Sequence, residues 1–164
     1  MEIEENALFK VSQGLYVLGG RDDERFVGSI IDAVMQVASK PLILAIACSS
    51  RSYTRECIDK TKEFSLSVLG KKVDPFVIAN FGFQTSRTVD KWQKVKFNEV
   101  DGLPYLEDNI ARIRGVIKQK IEFESHTLFI AEVVGCLNGV AGEPLTYLDY
   151  RTYFKDEVFK TVKK

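Results

Sequence analysis

Residues 111–124, ARIRGVIKQKIEFE, alternate apolar and charged side chains over almost their whole length. Ile113, Ile117, Ile121 and Phe123 share one face of an extended strand, and Arg112, Arg114, Lys118, Lys120, Glu122 and Glu124 take the other. Only Val116 breaks the pattern. Ser125-His126 marks a turn, and TLFIAEVVGCL follows as a second extended segment, apolar enough to be largely buried. Two long strands joined so tightly must run antiparallel.

The rest of the chain agrees with that start. GLYVLGGRDDERFVGSII reads as a hairpin with Gly19-Gly20 and charged residues at its tip. LILAIAC, after Pro41, is too short for a typical helix and continuous enough for a fully buried strand. FSLSVLG at 64–70 alternates and ends in glycine. Helices are predicted at 5–12, with Leu8 and Val11 on one face, and at 54–62, with Ser52 or Thr54 as cap. A third short helix starts at Asp74-Pro75 and runs to about Asn80. No βαβ rhythm appears. The expected fold class is mainly β with helical insertions, an antiparallel, closed or partly closed barrel in a single domain over 1–164. The tail EVFKTVKK is expected as a solvated end or one docked on a partner subunit.

Composition excludes several roles. Lys plus Arg and Asp plus Glu both total 23, so a broad nucleic-acid or membrane footprint is not expected. No run approaches a membrane span, and the acidic N-terminus lacks the order of a signal peptide. Three widely spaced cysteines without a CxxC, and a single histidine, disfavour a zinc site and fit a reduced cytoplasmic protein.

The stretch CSSRSYT, residues 48–54, carries the functional question. It lies between a buried strand and a helix start, where free N–H groups and the helix dipole favour an anion. Ser49, Ser50, Ser52 and Thr54 add hydroxyls, and Arg51 or Arg55 adds positive charge, a set that suits a phosphate monoester. The same run also reads as a Ser-rich turn with a capping Thr and solvated arginines.

Seven segments in order, GLYVL (14–18), GSIIDAVMQVASKP (28–41), LAIACSSRSYT (44–54), FSLSVLG (64–70), FGFQTSRTVDKW (81–92), SHTLFIAEVV (125–134) and LTYLDY (145–150), give a resemblance that covers nearly the whole chain. It resembles the flavin reductase-like family, whose fold is the FMN-binding split barrel. It is most similar to the branch containing ferric reductase, flavoredoxin and the flavin-reductase half of high-molecular-weight rubredoxin. The resemblance implies FMN bound at a homodimer interface. Asp32, Ala33, Val34, Met35 and Gln36 match the segment along the isoalloxazine ring and ribityl chain. Cys48, Ser49, Ser50, Ser52 and Thr54 fall in the phosphate and ribityl cradle. Phe81, Gly82, Ser86 and Lys91 match a stretch that approaches the flavin, where Lys91 would supply positive charge; Tyr150 matches a recurring terminal tyrosine.

His126 matches a histidine near the flavin that is often preceded by Gly-Asp; here Glu-Ser precedes it. It is the candidate catalytic residue, to bind phosphate, orient a nicotinamide or relay a proton, against the alternative of a turn histidine bonded to backbone. Asp32 stands where relatives tend to have Asn or a small polar residue, so its carboxylate would lower the flavin potential or accept a ribityl hydroxyl. Cys48 reads as a small buried residue or as a redox thiol. Trp92, Tyr147 and Tyr150 are aromatic candidates for a pocket wall, or for core. Two activities follow: an NAD(P)H-dependent flavin or ferric reductase, or an FMN electron carrier serving a separate rubredoxin or ferredoxin. A flavin-free oligonucleotide-binding barrel is disfavoured by the neutral charge. No GxGxxG is present, so NADH or NADPH would share the flavin cleft.

Overall fold

A computed structural model describes residues 2–162. Seven strands form one antiparallel sheet: β1 (Tyr16–Arg21), β2 (Phe26–Ile31), β3 (Val34–Ser39), β4 (Leu42–Ser49), β5 (Glu63–Val68), β8 (Ala111–Glu122) and β9 (His126–Asn138). Their order across the sheet is β2-β1-β5-β8-β9-β4-β3. The two edge strands, β2 and β3, are consecutive in the chain and joined only by Asp32-Ala33. The sheet therefore curls until its edges approach each other, and the split lies between them. This is the split barrel expected from the sequence.

Phe64 and Leu66 of β5, Ile46 of β4, Phe129 of β9 and Leu18 of β1 fill the barrel interior, each with no exposed surface. A second cluster lies outside the barrel. There Leu15, Leu69 and Trp92 pack with Phe81 of α2 (Pro75–Gly82), which Asp74 caps through its carboxylate on the Phe76 N–H. The other main helix, α1 (Tyr53–Thr61), is capped by Ser52, whose hydroxyl accepts from Arg55 N at 3.3 Å.

Four features differ from the sequence reading. The strand β8 carries irregularities between Arg114 and Gly115 and between Ile117 and Gln119. The first adds Val134 to β9 and the second adds Lys118 to β8, after which the side chains of β8 change face. Ile117 points inward, whereas Ile121 and Phe123 are half exposed. A two-strand ribbon, β6 (Phe97–Val100) and β7 (Leu103–Leu106), turns at Asp101-Gly102, both at positive φ. It covers the outer side of β5, where the hydroxyls of Ser65 and Ser67 bond its backbone. The N-terminal segment Glu5–Lys10 is a 3-10 turn with Leu8 exposed. The tail is not a solvated end. After the capped turn α3 (Tyr147–Asp149) and a π-helical segment (Tyr150–Phe154), helix α4 (Lys155–Val162) packs Val158 wholly into the second cluster against α2. Residues 163 and 164 of that expectation lie outside the described residues. Among the described residues no helix is long and apolar enough to cross a membrane.

Candidate functional site

A cavity of about 310 Å³ opens between β2, the β4–α1 loop and the turn after α2. Its walls come from three places far apart in sequence. Ser29, Ile30 and Ile31 of β2 form one side. Cys48, Ser49, Arg51, Ser52, Tyr53 and Thr54 form the second, at the start of α1. Phe81 to Ser86, with Lys91, form the third.

The β4–α1 wall answers the question posed by CSSRSYT. Ser49 accepts at its carbonyl from Ser52 N at 3.0 Å, which folds the loop back before the helix. The first-turn N–H groups of Tyr53 and Thr54 have no carbonyl within the helix to reach. Arg51 lines the cavity, while Arg55 turns away, donating to the Ser50 carbonyl at 3.2 Å and facing Asp59 at 3.9 Å. Of the two candidate cations, the loop thus presents Arg51. Ser50 supports the loop from behind: its N–H donates to Ser125 O at 2.9 Å. Cys48 is 1% exposed, and burial pushes its thiol up to about 12 despite the Arg55 charge. A buried, protonated thiol suits packing rather than redox attack.

The third wall is built around the backbone of Gly28. Ser86 Oγ accepts from Gly28 N at 3.0 Å and donates to Gly28 O at 2.8 Å. Lys91 Nζ donates to the same carbonyl at 2.9 Å and to Phe81 O at 3.0 Å. Lys91 is 2% exposed and has no carboxylate partner among the described residues. Burial alone pulls its pKa down to about 8. Its ammonium keeps a third N–H with no carbonyl to serve. Phe81 stands on the Trp92 ring, centroids 4.8 Å apart, and Trp92 Nε1 donates to Val27 O at 2.9 Å. The turn itself is fastened at both ends. Arg25 donates to Ser86 O and Arg87 O, and Arg87 reaches back to α1, bonding Glu56 at 2.7 Å and covering the Tyr53 ring at 4.5 Å.

The expected residues separate into two groups. Cys48, Ser49, Ser52, Thr54, Phe81, Gly82, Ser86 and Lys91 line one cavity. Asp32, Ala33, Val34, Met35 and Gln36 do not line it, but continue from its wall residue Ile31; Ala33 O accepts from Ala47 N at 2.9 Å. His126 starts β9 opposite Ser49, exposed, with its Nδ1 2.9 Å from Ser125 Oγ. Tyr150 sits apart from the cavity, half-buried in the second cluster beside Tyr147. Trp92 is a support beneath the wall. Sequence reasoning missed Ser29 to Ile31, Tyr53 and Phe83 to Thr85; the polar turn FQTSRT was the one local sign of the last group.

The fold is a split barrel with a hydroxyl-rich, cationic cleft, and the family match and the reductase relative below make the chain an oxidoreductase. The profile of the flavin reductase like domain matches residues 8–155, and the chain belongs to the flavin reductase-like family. It is 30% identical over 161 residues to high molecular weight rubredoxin of Moorella thermoacetica, covering 97% of this chain and 70% of that one. It is 29% identical to a ferric-chelate reductase (NAD(P)H) of Archaeoglobus fulgidus, covering 98% and 95%. Flavoredoxin from Methanosarcina acetivorans has a similar fold, with a TM-score of 0.76 at 17% identity over 88% of this chain and 80% of that one.

Proposed function

We propose that the cavity binds FMN and that the protein is an NAD(P)H-dependent flavin or ferric reductase. The observation that carries this is the pairing of two cationic walls. Arg51 stands with Ser49, Ser52 and Thr54 at the α1 N-terminus, and the carboxylate-free Lys91 stands across from it. The donor set fits a phosphate monoester next to a planar ring. Hydroxyls, an arginine and first-turn N–H groups suit the phosphate. The apolar Ile30, Ile31 and Phe81 suit the ring.

The chemistry supplied by bound FMN is acceptance of a hydride from NADH or NADPH at N5 and onward transfer of electrons. The chain's own residues bind and orient. Ser49, Ser52 and Thr54 would hold the phosphate and ribityl hydroxyls, and Ser50 keeps the loop in shape. Lys91 would offer its remaining N–H and a positive charge to the bound flavin. Asp32 to Gln36 extend the same wall toward β3 and would meet the ring beyond Ile31. His126, beside Ser49, is the candidate for orienting the nicotinamide or moving a proton.

Flavin-free protein should quench FMN fluorescence and bind FMN at least about tenfold tighter than riboflavin, the value of one charge-assisted contact. Equal affinities would remove the phosphate from the 48–54 loop. Anaerobic NADH or NADPH should then reduce the bound flavin. Failure with both, together with rapid reduction by a reduced rubredoxin or ferredoxin, would select the electron-carrier reading. That second reading is favoured by the identity to high molecular weight rubredoxin. No metal-holding cluster occurs among the described residues, so the iron centre of that reading lies outside them.

The same reading includes a homodimer. On β4 and β9 Ile46 and Phe129 point inward, while Ala45, Leu128 and Ile130 share the outer face with Met35 of β3, Ile121 of β8 and the charged Glu132, which Lys118 pairs at 3.0 Å. Met35 is 63% and Ile121 50% exposed in the single chain. An apolar sheet face of this extent supports the dimer reading. Sedimentation should give about twice 18.6 kDa, and Leu128→Asp should return it to that mass; a wild-type monomer would refute the dimer. The three free cysteines, two of them buried, fit a reducing cytoplasm.

A further inference from the structure

Phe83 ends α2 and stands at the lip of the cavity. The residue is 45% exposed. It lies against the ring of Phe159, with centroids 5.2 Å apart and planes tilted by 32°. Phe159 is 42% exposed and belongs to α4, which Val158 anchors in the second cluster. Phe81, two residues before Phe83, is buried and fixed by Trp92. The site therefore has one aromatic ring locked in its floor and another held half in water at its mouth. The family domain match ends at residue 155, where α4 begins, so the match itself does not supply this contact.

An exposed phenylalanine at the end of a helix has free rotamers, and ordering it on binding reduces affinity. A second ring packed against it removes that freedom beforehand. The pair leaves the rest of the Phe83 surface open to the cavity, where a planar ring gains from stacked or edge contacts. We infer that Phe159 is a positioning residue that holds Phe83 as an aromatic wall, against which a planar, electron-poor heteroaromatic ring of the ligand packs. This rests on the reading of the cavity as a flavin site. A flavin ring and a nicotinamide ring share the required chemistry, and the test separates them.

Phe83→Leu, Phe159→Leu, the double variant and Phe159→Tyr would be compared with the wild type. The readouts are FMN and riboflavin affinity, KM and kcat for NADH and NADPH at saturating flavin, and thermal melting. Each Leu variant should raise the flavin Kd or the nicotinamide KM about three- to tenfold, with kcat within about twofold. Phe159→Tyr should restore the wild-type value, and the double variant should be no worse than Phe83→Leu. A change in Kd assigns the ring to the flavin; a change in KM assigns it to the nicotinamide. Phe159→Met, apolar and without a ring, replaces Phe159→Leu should that variant melt early. Wild-type constants in both Leu variants, or losses that add in the double variant, overturn the inference while the wild type still binds FMN. Absence of flavin binding by the wild type overturns the cofactor reading, and this inference with it.

Discussion

Lys91→Met should lose most of its FMN affinity and almost none of its stability. The two effects have different sources. In the ligand-free protein the Lys91 ammonium is buried without a carboxylate among the described residues, and its pKa of about 8 against an ordinary 10.5 corresponds to a cost on the order of 3 kcal/mol. Methionine removes the cost. It also removes the donors to Gly28 O and Phe81 O. Gly28 O keeps the Ser86 hydroxyl, so one carbonyl is orphaned, at about 1–3 kcal/mol. The terms nearly cancel, and the melting temperature should move by only a few degrees. Binding has no such offset, because the cation facing the ligand is gone; a loss of about tenfold or more is expected.

The pH dependence carries the same sign. The folded pKa lies below the unfolded one, so between about pH 8 and 10.5 the unfolded chain holds the extra proton. Stability of the ligand-free wild type should therefore rise with pH across that window and be flat with respect to Lys91 below it. FMN affinity should fall as pH passes about 8, while Lys91→Met shows no such step. A wild-type affinity constant from pH 7 to 9 would remove Lys91 from the site.

Gly28→Val should be the most destabilising single change in the cleft. A Cβ on residue 28 would lie 2.6 Å from Phe81 Cε1 and 3.0 Å from Trp92 Nε1. Both rings are 1% exposed and packed on each other, so neither can retreat without disturbing the second cluster. Overpacking costs about 1–3 kcal/mol, and displacing the Trp92 and Ser86 hydrogen bonds adds about 1 kcal/mol each. The sum, roughly 3–5 kcal/mol, is a large part of the stability of a domain this size. Urea unfolding should show a lower midpoint at unchanged slope. Gly82→Ala is the control: its Cβ would meet Ile30 at 3.6 Å, an ordinary contact, and should stay within about 0.5 kcal/mol. If Gly28→Val matched that control, the wall would not be as tightly packed as its distances state.

How far this could be read from the chain depended on the range of the interactions. FSLSVLG and LILAIAC announced strands because side-chain alternation and continuous burial are local patterns. Ser52 and Asp74 announced helix starts because a cap bonds within three residues. Even so, the alternation in 111–124 misplaced Ile121 and Phe123, since a bulge shifts every later side chain to the other face without altering composition. The β6–β7 ribbon was not read from the sequence, and its purpose, to cover the two buried serines of β5, is visible only in the packed sheet. EVFKTVKK is polar enough to look solvated, yet one residue, Val158, docks it.

For the site, the sequence by itself determined the inventory: a hydroxyl-rich turn with two arginines after a buried strand, a lysine ten residues beyond Phe81, and the order of motifs that places the chain in its family. Only the tertiary structure decided their use. It turned Arg51 into the cavity and Arg55 onto Ser50 and Asp59, spent both functions of the Ser86 hydroxyl on Gly28, and left Lys91 buried without a counter-ion. Helix caps and strand faces arise from neighbours in sequence. A cavity wall arises from partners such as Gly28 and Lys91, 63 residues apart, whose meeting is fixed by the curl of the sheet.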